Sequence, residues 1–328
     1  MTSPLPLPVP RAVPLPVPSP ATRPVSSSAA RPVSSPAARP LAHPWMPTSP
    51  CGPRCLTGDE PTVGALRAGL RLTGAVCVLL VCLLAVPVLP FIGRDTFARL
   101  VFRSLLRAFG VRLAVTGGES LREARGRGAL VATNHVSWLD IAAVNAIRPM
   151  RALAKRDIRD WPVLGRIVAA AGTVFVDRER LRSLPGTMAH LAEALRAGAH
   201  VYACPEGTTW CGQGVGRFRP AMFQAAIDGG VPVRPIALRF RTEDGRETTA
   251  PSFIGDETIV DSVRRVARLR GLVLEVHVLD ELAPGRAADR RELAALTEAA
   301  VNAALGRALA PATRTRRGPH PIRTRQSA

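Results

Sequence analysis

The chain has 328 residues, of which 47% are apolar and 4% aromatic, and its formal net charge is +19. This composition excludes a chain too polar to fold, because it provides enough apolar material for one large domain or two small ones. Nearly half of the positive charge lies in residues 1–60 and 307–328, and the rest gives the body of the chain a basic excess. Such an excess favours an anionic partner, namely nucleic acid, an anionic membrane surface or a phosphate-bearing substrate.

The two ends of the chain have the composition of tails. Fifteen prolines fall within the first fifty positions, and related eight-residue units such as RPVSSSAA and RPVSSPAA recur there. Proline at this density favours polyproline II and prevents a packed fold, so we predict a disordered Pro-rich tail over residues 1–60. Residues 310–328 are basic and contain proline, which predicts a second disordered tail.

Residues 72–92, LTGAVCVLLVCLLAVPVLPFI, contain no charged side chain. A helix over these 21 residues is long enough to cross a hydrocarbon core of about 30 Å. Pro87 and Pro90 weaken its last turns, so the segment either spans the bilayer or dips into it and returns.

The following residues, 96–110, have the pattern of an amphipathic helix with cationic edges, which suits an anionic membrane surface. We therefore predict a membrane-anchoring helical segment over residues 61–110. Arginines after the apolar run outnumber those before it, and the positive-inside bias then places the following domain at the cytoplasmic face of the cell membrane. The cationic positions are Arg99, Arg103 and Arg107, and the opposite apolar stripe comprises Phe97, Leu100, Val101, Leu105 and Ala108.

From residue 111 onwards, short β-rich runs alternate with helical patterns. This alternation predicts an α/β domain over residues 111–309, with a mostly parallel sheet flanked by helices. Strands are predicted at 111–116, 128–133, 173–176, 200–204, 233–238 and 272–279. Helices are predicted at 137–147, 163–170, 180–197, 218–228 and 287–309.

The stretch TNHVSWLD contains a histidine–aspartate pair directly after a predicted strand. His135 lies in the strand-to-helix connection, at the carboxyl edge of the sheet where α/β sites open. Ser137 and Asp140 have the spacing of a capping box, which would give Asp140 a structural role. Alternatively, the Asp140 carboxylate orients one nitrogen of His135, and the other nitrogen deprotonates a hydroxyl. The chain has no G-x-S-x-G nucleophile motif, so a base of this kind fits direct attack by a substrate alcohol.

The stretch CPEGTTWCGQGVGRF, residues 204–218, follows another predicted strand. Its glycines allow the backbone to approach a ligand and offer N–H groups to oxyanions. Arg217 and Arg219 either hold an anion or are solvated charges on a connection. Arg178 ends a third predicted strand, where it either binds a phosphate or pairs with Asp177 or Glu179. The carboxyl ends of parallel strands meet at one edge of the sheet.

The six cysteines show no disulfide framework and no paired C-x2-C spacing. His200, Cys204 and Cys211 are conceivable zinc ligands, but their spacing does not support a zinc site. We therefore expect neither a metal ion nor another bound cofactor.

Four motifs occur in the order typical of the glycerolipid acyltransferase family, and residues 97–280 resemble that family. WPVLG at 161–165, with Lys155 shortly before it, also resembles the family's link between the first two motifs. The motif N-H-x4-D is matched by Asn134, His135 and Asp140, G-x-x-F-[IV]-x-R by Gly172, Phe175 and Arg178, [FV]-P-E-G-T-[RT] by Pro205, Glu206, Gly207 and Thr208, and V-P-[IV]-x-P-[IV] by residues 231–236.

The resemblance implies a membrane-bound enzyme that moves a fatty acyl group from acyl-CoA or acyl-carrier protein to the free hydroxyl of a lysolipid. The expected acceptor is 1-acylglycerol-3-phosphate, which would give phosphatidic acid. His135 would be the general base, oriented by Asp140, and Arg178 would bind the phosphate of the acceptor. The other substrate-binding residues that the resemblance implies are Asn134, Lys155, Glu206, Gly207, Thr208, Thr209, Arg217, Arg219 and, on the acyl-donor side, Pro235.

Thr209 departs from the pattern of lysophosphatidate enzymes, which often have arginine after E-G-T. Either Arg217 or Arg219 supplies the missing phosphate contact, or the acceptor is another lysolipid such as lyso-ornithine lipid. Two other functions stay open. One is nucleic-acid binding, which the charge favours but the lack of interleaved aromatic residues opposes. The other is hydrolysis of acyl thioesters, with water in place of the lysolipid.

Overall fold

The computed structural model describes residues 47–85, 93–123, 126–161, 164–170, 172–177 and 180–307. Most of the predicted N-terminal tail and all of the predicted C-terminal tail lie outside these residues. Residues 86–92 of the apolar run also lie outside them, and so does Arg178.

Helices and strands alternate along the described chain. The helices are α1 (Ala65–Ala85), α2 (Arg94–Ala108), α3 (Gly118–Glu123), α4 (Leu139–Ile147), α5 (Leu164–Ala170), α6 (Leu184–Arg196), α7 (Ala221–Gly229), α8 (Ile259–Arg268) and α9 (Arg290–Ala304). The strands are β1 (Arg112–Thr116), β2 (Ala129–Thr133), β3 (Arg151–Lys155), β4 (Val174–Val176), β5 (His200–Ala203), β6 (Val233–Arg241) and β7 (Val273–Val278).

The seven strands of the described chain form one sheet in the order β1-β7-β6-β2-β5-β3-β4. Neighbouring strands are parallel, except for β6 and β7, which form an antiparallel ladder. Five strands therefore run in one direction, and β1 and β7 run in the other. The predicted α/β class with a mostly parallel sheet is confirmed.

The six predicted strands are all present, but β3 and the helices α3 and α8 were not predicted. The sequence of β3, RALAK, contains no β-branched or aromatic residue, so its intrinsic preference for a strand is low. It becomes a strand because it pairs with β5 on one side and β4 on the other.

Helices cover both faces of the sheet and bury a hydrophobic core on each. Residues of α2, α4 and α8 contribute to one core, and residues of α6, α7 and α9 contribute to the other. The alternation of side chains along a strand is visible in β2, where Val131 belongs to the first core and Leu130 and Ala132 belong to the second. All five residues of β2 are buried, so the loop after this strand starts from a rigid point.

Helices α1 and α2 pack against each other, and this pair, called here the α1–α2 hairpin, begins and ends on the α/β domain. Before α1, the backbone N–H of Val63 donates to the carbonyl of Arg268 at 2.8 Å. Gly74, in the middle of α1, lies next to Ala108 at the end of α2. The chain then enters β1 at Arg112. Because both ends of the hairpin attach to the same domain, the apolar helix leaves the domain and α2 returns to it.

Helix α1 is long and apolar enough to cross a membrane by length and composition. Its first turns pack on the domain through Ala68, Arg71 and Ala75, and its remaining surface is largely uncovered. The exposed apolar side chains of α1 are Leu66, Leu70, Val76, Leu79, Leu80, Val81, Leu83 and Leu84.

The predicted apolar stripe of helix α2 is not fully buried against the domain. Leu106 is its buried residue, whereas Leu100 of the predicted apolar stripe is 52% exposed. Arg103 of the predicted cationic edge turns inwards, and its Nε donates to the carbonyl of Ala146 at 2.9 Å, at the C-terminal end of α4. The cationic side of α2 therefore partly anchors the helix to the domain.

The predicted tail boundary at residue 60 is too late in the chain. Cys51 is 8% exposed, and residues Pro53–Cys55 form a short 3-10 helix. The backbone N–H of Thr57 donates to Oγ1 of Thr249 at 2.9 Å. These contacts fix the residues just before α1 to the domain, which the proline content of the preceding residues did not reveal.

Candidate active site

The two main motifs meet at the carboxyl ends of β2 and β5. These strands are adjacent and parallel, with Ala132 opposite Ala203. The next residues are therefore level with one another, and Oγ1 of Thr133 lies 3.6 Å from Sγ of Cys204. The loops that carry His135 and Glu206 leave the sheet side by side. The expected convergence of strand ends is confirmed for these two stretches.

His135 and Asp140 form a direct contact. Nδ1 of His135 lies 2.9 Å from Oδ2 of Asp140, and the imidazole is 28% exposed whereas the carboxylate is fully buried. The same Oδ2 accepts backbone N–H groups from Val136 at 2.7 Å and Ser137 at 2.9 Å. Three donors therefore hold the carboxylate in place, and the carboxylate in turn fixes the orientation of the ring.

The predicted capping box over Ser137 and Asp140 is only half formed. Asp140 accepts the N–H of Ser137 as predicted, but Oγ of Ser137 accepts from Leu139 at 3.4 Å, and α4 begins at Leu139. The helix start is therefore two residues later than predicted. Asp140 stabilises the turn and also contacts the ring of His135. Its structural and functional interpretations are therefore compatible.

The charge of His135 is controlled by its buried surroundings. Burial lowers the pKa of the imidazole, but electrostatic interactions with the neighbouring Cys204 and Asp140, together with the hydrogen bond to Asp140, raise it. The raising effects dominate, and the pKa of His135 lies well above 6.5. The ring therefore has a high affinity for a proton, which is the property of a strong general base.

Glu206 is 3% exposed, and both of its carboxylate oxygens are occupied by backbone donors. Oε2 accepts the N–H of His135 at 2.6 Å and Oε1 accepts the N–H of Gly216 at 2.8 Å. Burial raises the pKa of Glu206 to about 8, against the opposing effect of these two hydrogen bonds. The carboxylate thus joins the histidine loop to the glycine-rich loop.

Asn134 fixes the same loop from the other side. Its Nδ2 donates to the carbonyl of Leu238 at 2.9 Å, and its Oδ1 accepts the N–H of Leu238 at 2.8 Å. The side chain is 2% exposed. Together with Glu206, Asn134 therefore holds the backbone on both sides of the His135 peptide in a single position.

The glycine-rich loop folds back over the histidine loop. The backbone N–H of Trp210 donates to the carbonyl of His135 at 2.8 Å, and the Thr209 hydroxyl donates to the carbonyl of Phe253. Gly207 has a φ of 76°, which favours glycine, and a Cβ there would lie 2.9 Å from Cγ of Pro47. Thr208 is partly exposed beside it.

The remaining predicted substrate-binding residues that the structure describes are Arg217, Arg219, Lys155 and Pro235. Arg217 and Arg219 are exposed at the end of the glycine-rich loop, and the backbone N–H of Arg219 bonds to the carbonyl of Pro205 at 2.9 Å. Lys155 ends β3 and forms an ion pair with Asp157. Pro235 is buried within β6, opposite Ala132 of β2.

Three residues beneath the histidine escaped the sequence prediction as part of the site. The Tyr202 hydroxyl accepts from Oγ1 of Thr133 at 3.3 Å and from Sγ of Cys204 at 3.1 Å. Cys204 also lies close enough to His135 to raise the pKa of its ring. The position of Cys204 just before Pro-Glu-Gly was an available signal, but its contact with His135 depends on the register of β2 and β5.

Comparison with known proteins gives consistent matches. A model of the Acyltransferase family matches residues 112–239, which include both loops of the site. The chain is 40% identical over 149 residues to the 1-acyl-sn-glycerol-3-phosphate acyltransferase of Neisseria gonorrhoeae, covering 45% of this chain and 58% of that protein. It is 38% identical over 185 residues to the lyso-ornithine lipid O-acyltransferase of Pseudomonas aeruginosa, covering 56% of this chain and 70% of that protein.

Solved structures match as well. The crystal structure of the 1-acyl-sn-glycerophosphate (LPA) acyltransferase, PlsC, from Thermotoga maritima covers 72% of this chain and 96% of its own at a TM-score of 0.48 and 19% identity.

A mostly parallel sheet with a histidine–aspartate pair at its carboxyl edge, matched by the Acyltransferase model, defines an acyltransferase domain. More particularly, the chain belongs to the glycerolipid acyltransferase family, since it covers 70% of a relative to which it is 38% identical. It spans 58% of the length of the two Neisseria relatives.

Proposed function

We propose that this protein is a membrane-associated O-acyltransferase that transfers a fatty acyl group from a thioester donor to the free hydroxyl of a lysolipid. The observation that carries the proposal is the 2.9 Å contact between Nδ1 of His135 and Oδ2 of Asp140. It engages one ring nitrogen and leaves Nε2 to accept a proton, on a ring that is 28% exposed. The donor is acyl-CoA or acyl-carrier protein, and no metal ion or bound cofactor takes part in the transfer.

The proposed reaction is a direct transfer without an acyl-enzyme. Nε2 of His135 removes the proton from the acceptor hydroxyl while the hydroxyl oxygen attacks the thioester carbonyl. The carbon–sulfur bond breaks, and the thiolate takes the proton back from His135, so that an ester and a free thiol are formed. Asp140 keeps the ring in one orientation and stabilises its charged form. Backbone N–H groups near the loop stabilise the oxyanion.

Glu206 and Asn134 act in this proposal as positioning residues. Their polar atoms bond to backbone groups, so they determine where His135 lies. This differs from the role in acceptor binding that the family resemblance implied for them. A shift of the histidine by about 1 Å is enough to reduce a rate by about a hundredfold.

The acceptor proposed first is 1-acylglycerol-3-phosphate, as in the name of the Neisseria relative. Its phosphate would contact Arg217 and Arg219, the exposed arginines at the end of the glycine-rich loop, together with Arg178 and Lys155. Thr209 favours a second acceptor, a lyso-ornithine lipid, because its hydroxyl is bonded to Phe253 and it supplies no positive charge. The name of the Pseudomonas relative is consistent with that alternative.

We propose that the α1–α2 hairpin dips into one leaflet and returns, with its exposed leucines in the hydrocarbon. Both ends of the hairpin attach to the α/β domain, which supports a dip rather than a crossing. The domain would then lie against an anionic surface, where Arg94 and Arg107 of α2 are exposed. The positive-inside bias supports the cytoplasmic face of the cell membrane.

The experiment that tests the proposal is an assay of purified membranes with a labelled acyl donor and a panel of lysolipids. Transfer to 1-acylglycerol-3-phosphate supports the first acceptor, and transfer to lyso-ornithine lipid alone supports the second. Release of free fatty acid at a rate that no lysolipid changes would replace the proposal with a thioester hydrolase. Membrane binding that is lost with a steep salt dependence would favour nucleic-acid binding instead.

A further inference from the structure

Three cysteines from distant parts of the chain meet beside the glycine-rich loop. The Sγ atoms of Cys51, Cys55 and Cys211 all lie within 4.8 Å of one another. Cys51 and Cys211 are buried and 160 positions apart in sequence. The chain contains six cysteines, so half of them come together at this point.

The spacing of the three sulfur atoms suits a thiophilic metal ion. A tetrahedral site with Zn–S bonds of about 2.3 Å places its sulfur atoms about 3.8 Å apart. The observed upper limit of 4.8 Å requires a contraction of about 1 Å or less, which rotation of the side chains can supply. Cys51 and Cys55 also have the C-x3-C separation of paired zinc ligands.

Backbone N–H groups point at two of the sulfur atoms. Sγ of Cys51 accepts the N–H of Cys211 at 3.3 Å, and Sγ of Cys211 accepts the N–H of Gly214 at 3.5 Å. The second bond needs the chain to turn sharply after Cys211, and Gly212 provides this turn with a φ of 91°. Hydrogen bonds of this kind strengthen when the acceptor is charged, so they favour thiolates.

The surroundings of the cluster are apolar. Ile254, Leu56 and Trp210 pack against the three cysteines. A low-polarity shell strengthens the attraction between thiolates and a cation and slows the exchange of the cation with water. Among the described residues, the group contains three protein ligands, so a water molecule or an added ligand would complete a fourth position.

We propose that Cys51, Cys55 and Cys211 bind one thiophilic divalent cation of the zinc type. Binding replaces three thiol protons with the cation, and the three protons are released to solvent. The ion would tie the segment before α1 to the glycine-rich loop. This loop carries Thr209, and the backbone N–H of its Gly216 donates to Glu206. The sequence analysis considered Cys211 only together with His200 and Cys204, and their spacing did not support a zinc site. In the structure, the sulfur atoms near Cys211 belong to Cys51 and Cys55, which precede the domain.

The test uses the full chain, purified under anaerobic reducing conditions, stripped with a chelator and titrated with Co²⁺. We expect a thiolate-to-cobalt charge-transfer band that saturates at about one ion per chain and disappears when Zn²⁺ is added. Backbone hydrogen exchange at Cys211 and Gly214 should slow when the metal binds. Neither readout depends on acyl transfer, so the result is separate from that of the proposed function.

The double variant Cys51→Ser/Cys55→Ser should lower the affinity for Co²⁺ at least about tenfold, because loss of even an outer-shell partner costs about 10–100-fold. The matched control is Cys77→Ser/Cys82→Ser, which removes two thiols of α1 outside the cluster and should leave the titration unchanged. A wild-type titration without a charge-transfer band overturns the proposal even if the variants do not fold. An equal band in the Cys51→Ser/Cys55→Ser protein also overturns it.

Discussion

The backbone N–H of His135 donates a 2.6 Å hydrogen bond to Oε2 of Glu206, which lies 71 positions later in the chain. This bond unites the two loops of the site in one unit. It also explains why a buried acid follows a strand end at the edge of the sheet: the acid holds the backbone of the residue that we propose performs the proton transfer. The position of the proposed base therefore depends on a side chain that need not touch the substrate.

Replacing Glu206 by glutamine should weaken both the fold and the reaction. Glutamine offers one oxygen, so one of the two backbone donors, His135 or Gly216, would face an amide N–H₂ group. We expect the free energy of unfolding to fall by about 1–3 kcal/mol and kcat to fall with it. Urea unfolding and steady-state kinetics measure the two effects. The control is Glu193→Gln on α6, where the side chain is 72% exposed; equal behaviour of the two variants would refute the positioning role.

The pH dependence of activity should report His135. Its pKa lies well above 6.5 because Cys204 and Asp140 outweigh the effect of burial. A general base must be neutral, so kcat/KM should rise with pH through an apparent pKa above 6.5. Asp140→Asn removes the negative charge, and should shift that limb to lower pH and reduce kcat by about 10²–10⁴-fold. A pH profile that is identical in the wild type and Asp140→Asn would contradict this account.

The exposed leucines of α1 should be required for membrane binding. Leu80 and Leu84 are 53% and 76% exposed, and burial of each leucine in lipid is worth about 1.5–3 kcal/mol. The variant Leu80→Ser/Leu84→Ser should therefore bind anionic vesicles at least about tenfold more weakly in a flotation assay. Ile227→Ser/Val260→Ser removes two other exposed apolar side chains, from α7 and α8. If that control loses binding equally, the hairpin is not the anchor.

The exposed arginines of the glycine-rich loop should select the acceptor. With 1-acylglycerol-3-phosphate, Arg217→Ala and Arg219→Ala should raise the KM of the acceptor well above any change in the KM of the donor. Arg178→Ala should behave in the same way. Arg264→Ala on α8, where the side chain is 70% exposed, is the control for loss of surface charge. Equal changes in both KM values would show that these arginines do not bind the phosphate.

Much of the fold was predictable because local pattern and tertiary structure agree there. Each of the six predicted strands coincides with a β-rich run in the sequence. The alternation of these runs with helical patterns implied a mostly parallel sheet. Strand β3 was missed because its short RALAK sequence becomes a strand only through its neighbours. The buried segment around Cys51 was missed because its contacts are with residues about 160–200 positions away.

The contacts of the site were predictable where the residues are close together in the sequence. The contact between His135 and Asp140 spans five positions and follows from the motif. The backbone contacts of Glu206 were not predicted, because only the register of β2 and β5 shows that its carboxylate faces a backbone N–H. Cys204 was not recognised beside the histidine for the same reason. The role of Glu206 in acceptor binding stays a prediction. The acceptor role of Arg178 stays a prediction, since that residue lies outside the described residues.

The most direct measurement of the central claim is acyl transfer by His135→Ala in purified membranes, with labelled donor and the lysolipid that the wild type uses. We expect transfer to fall by about 10²–10⁴-fold while vesicle binding is unchanged, because the base is removed and the hairpin is intact. His190→Ala, in which the lost ring is 70% exposed on α6, should retain full transfer. Undiminished transfer by His135→Ala would contradict the account.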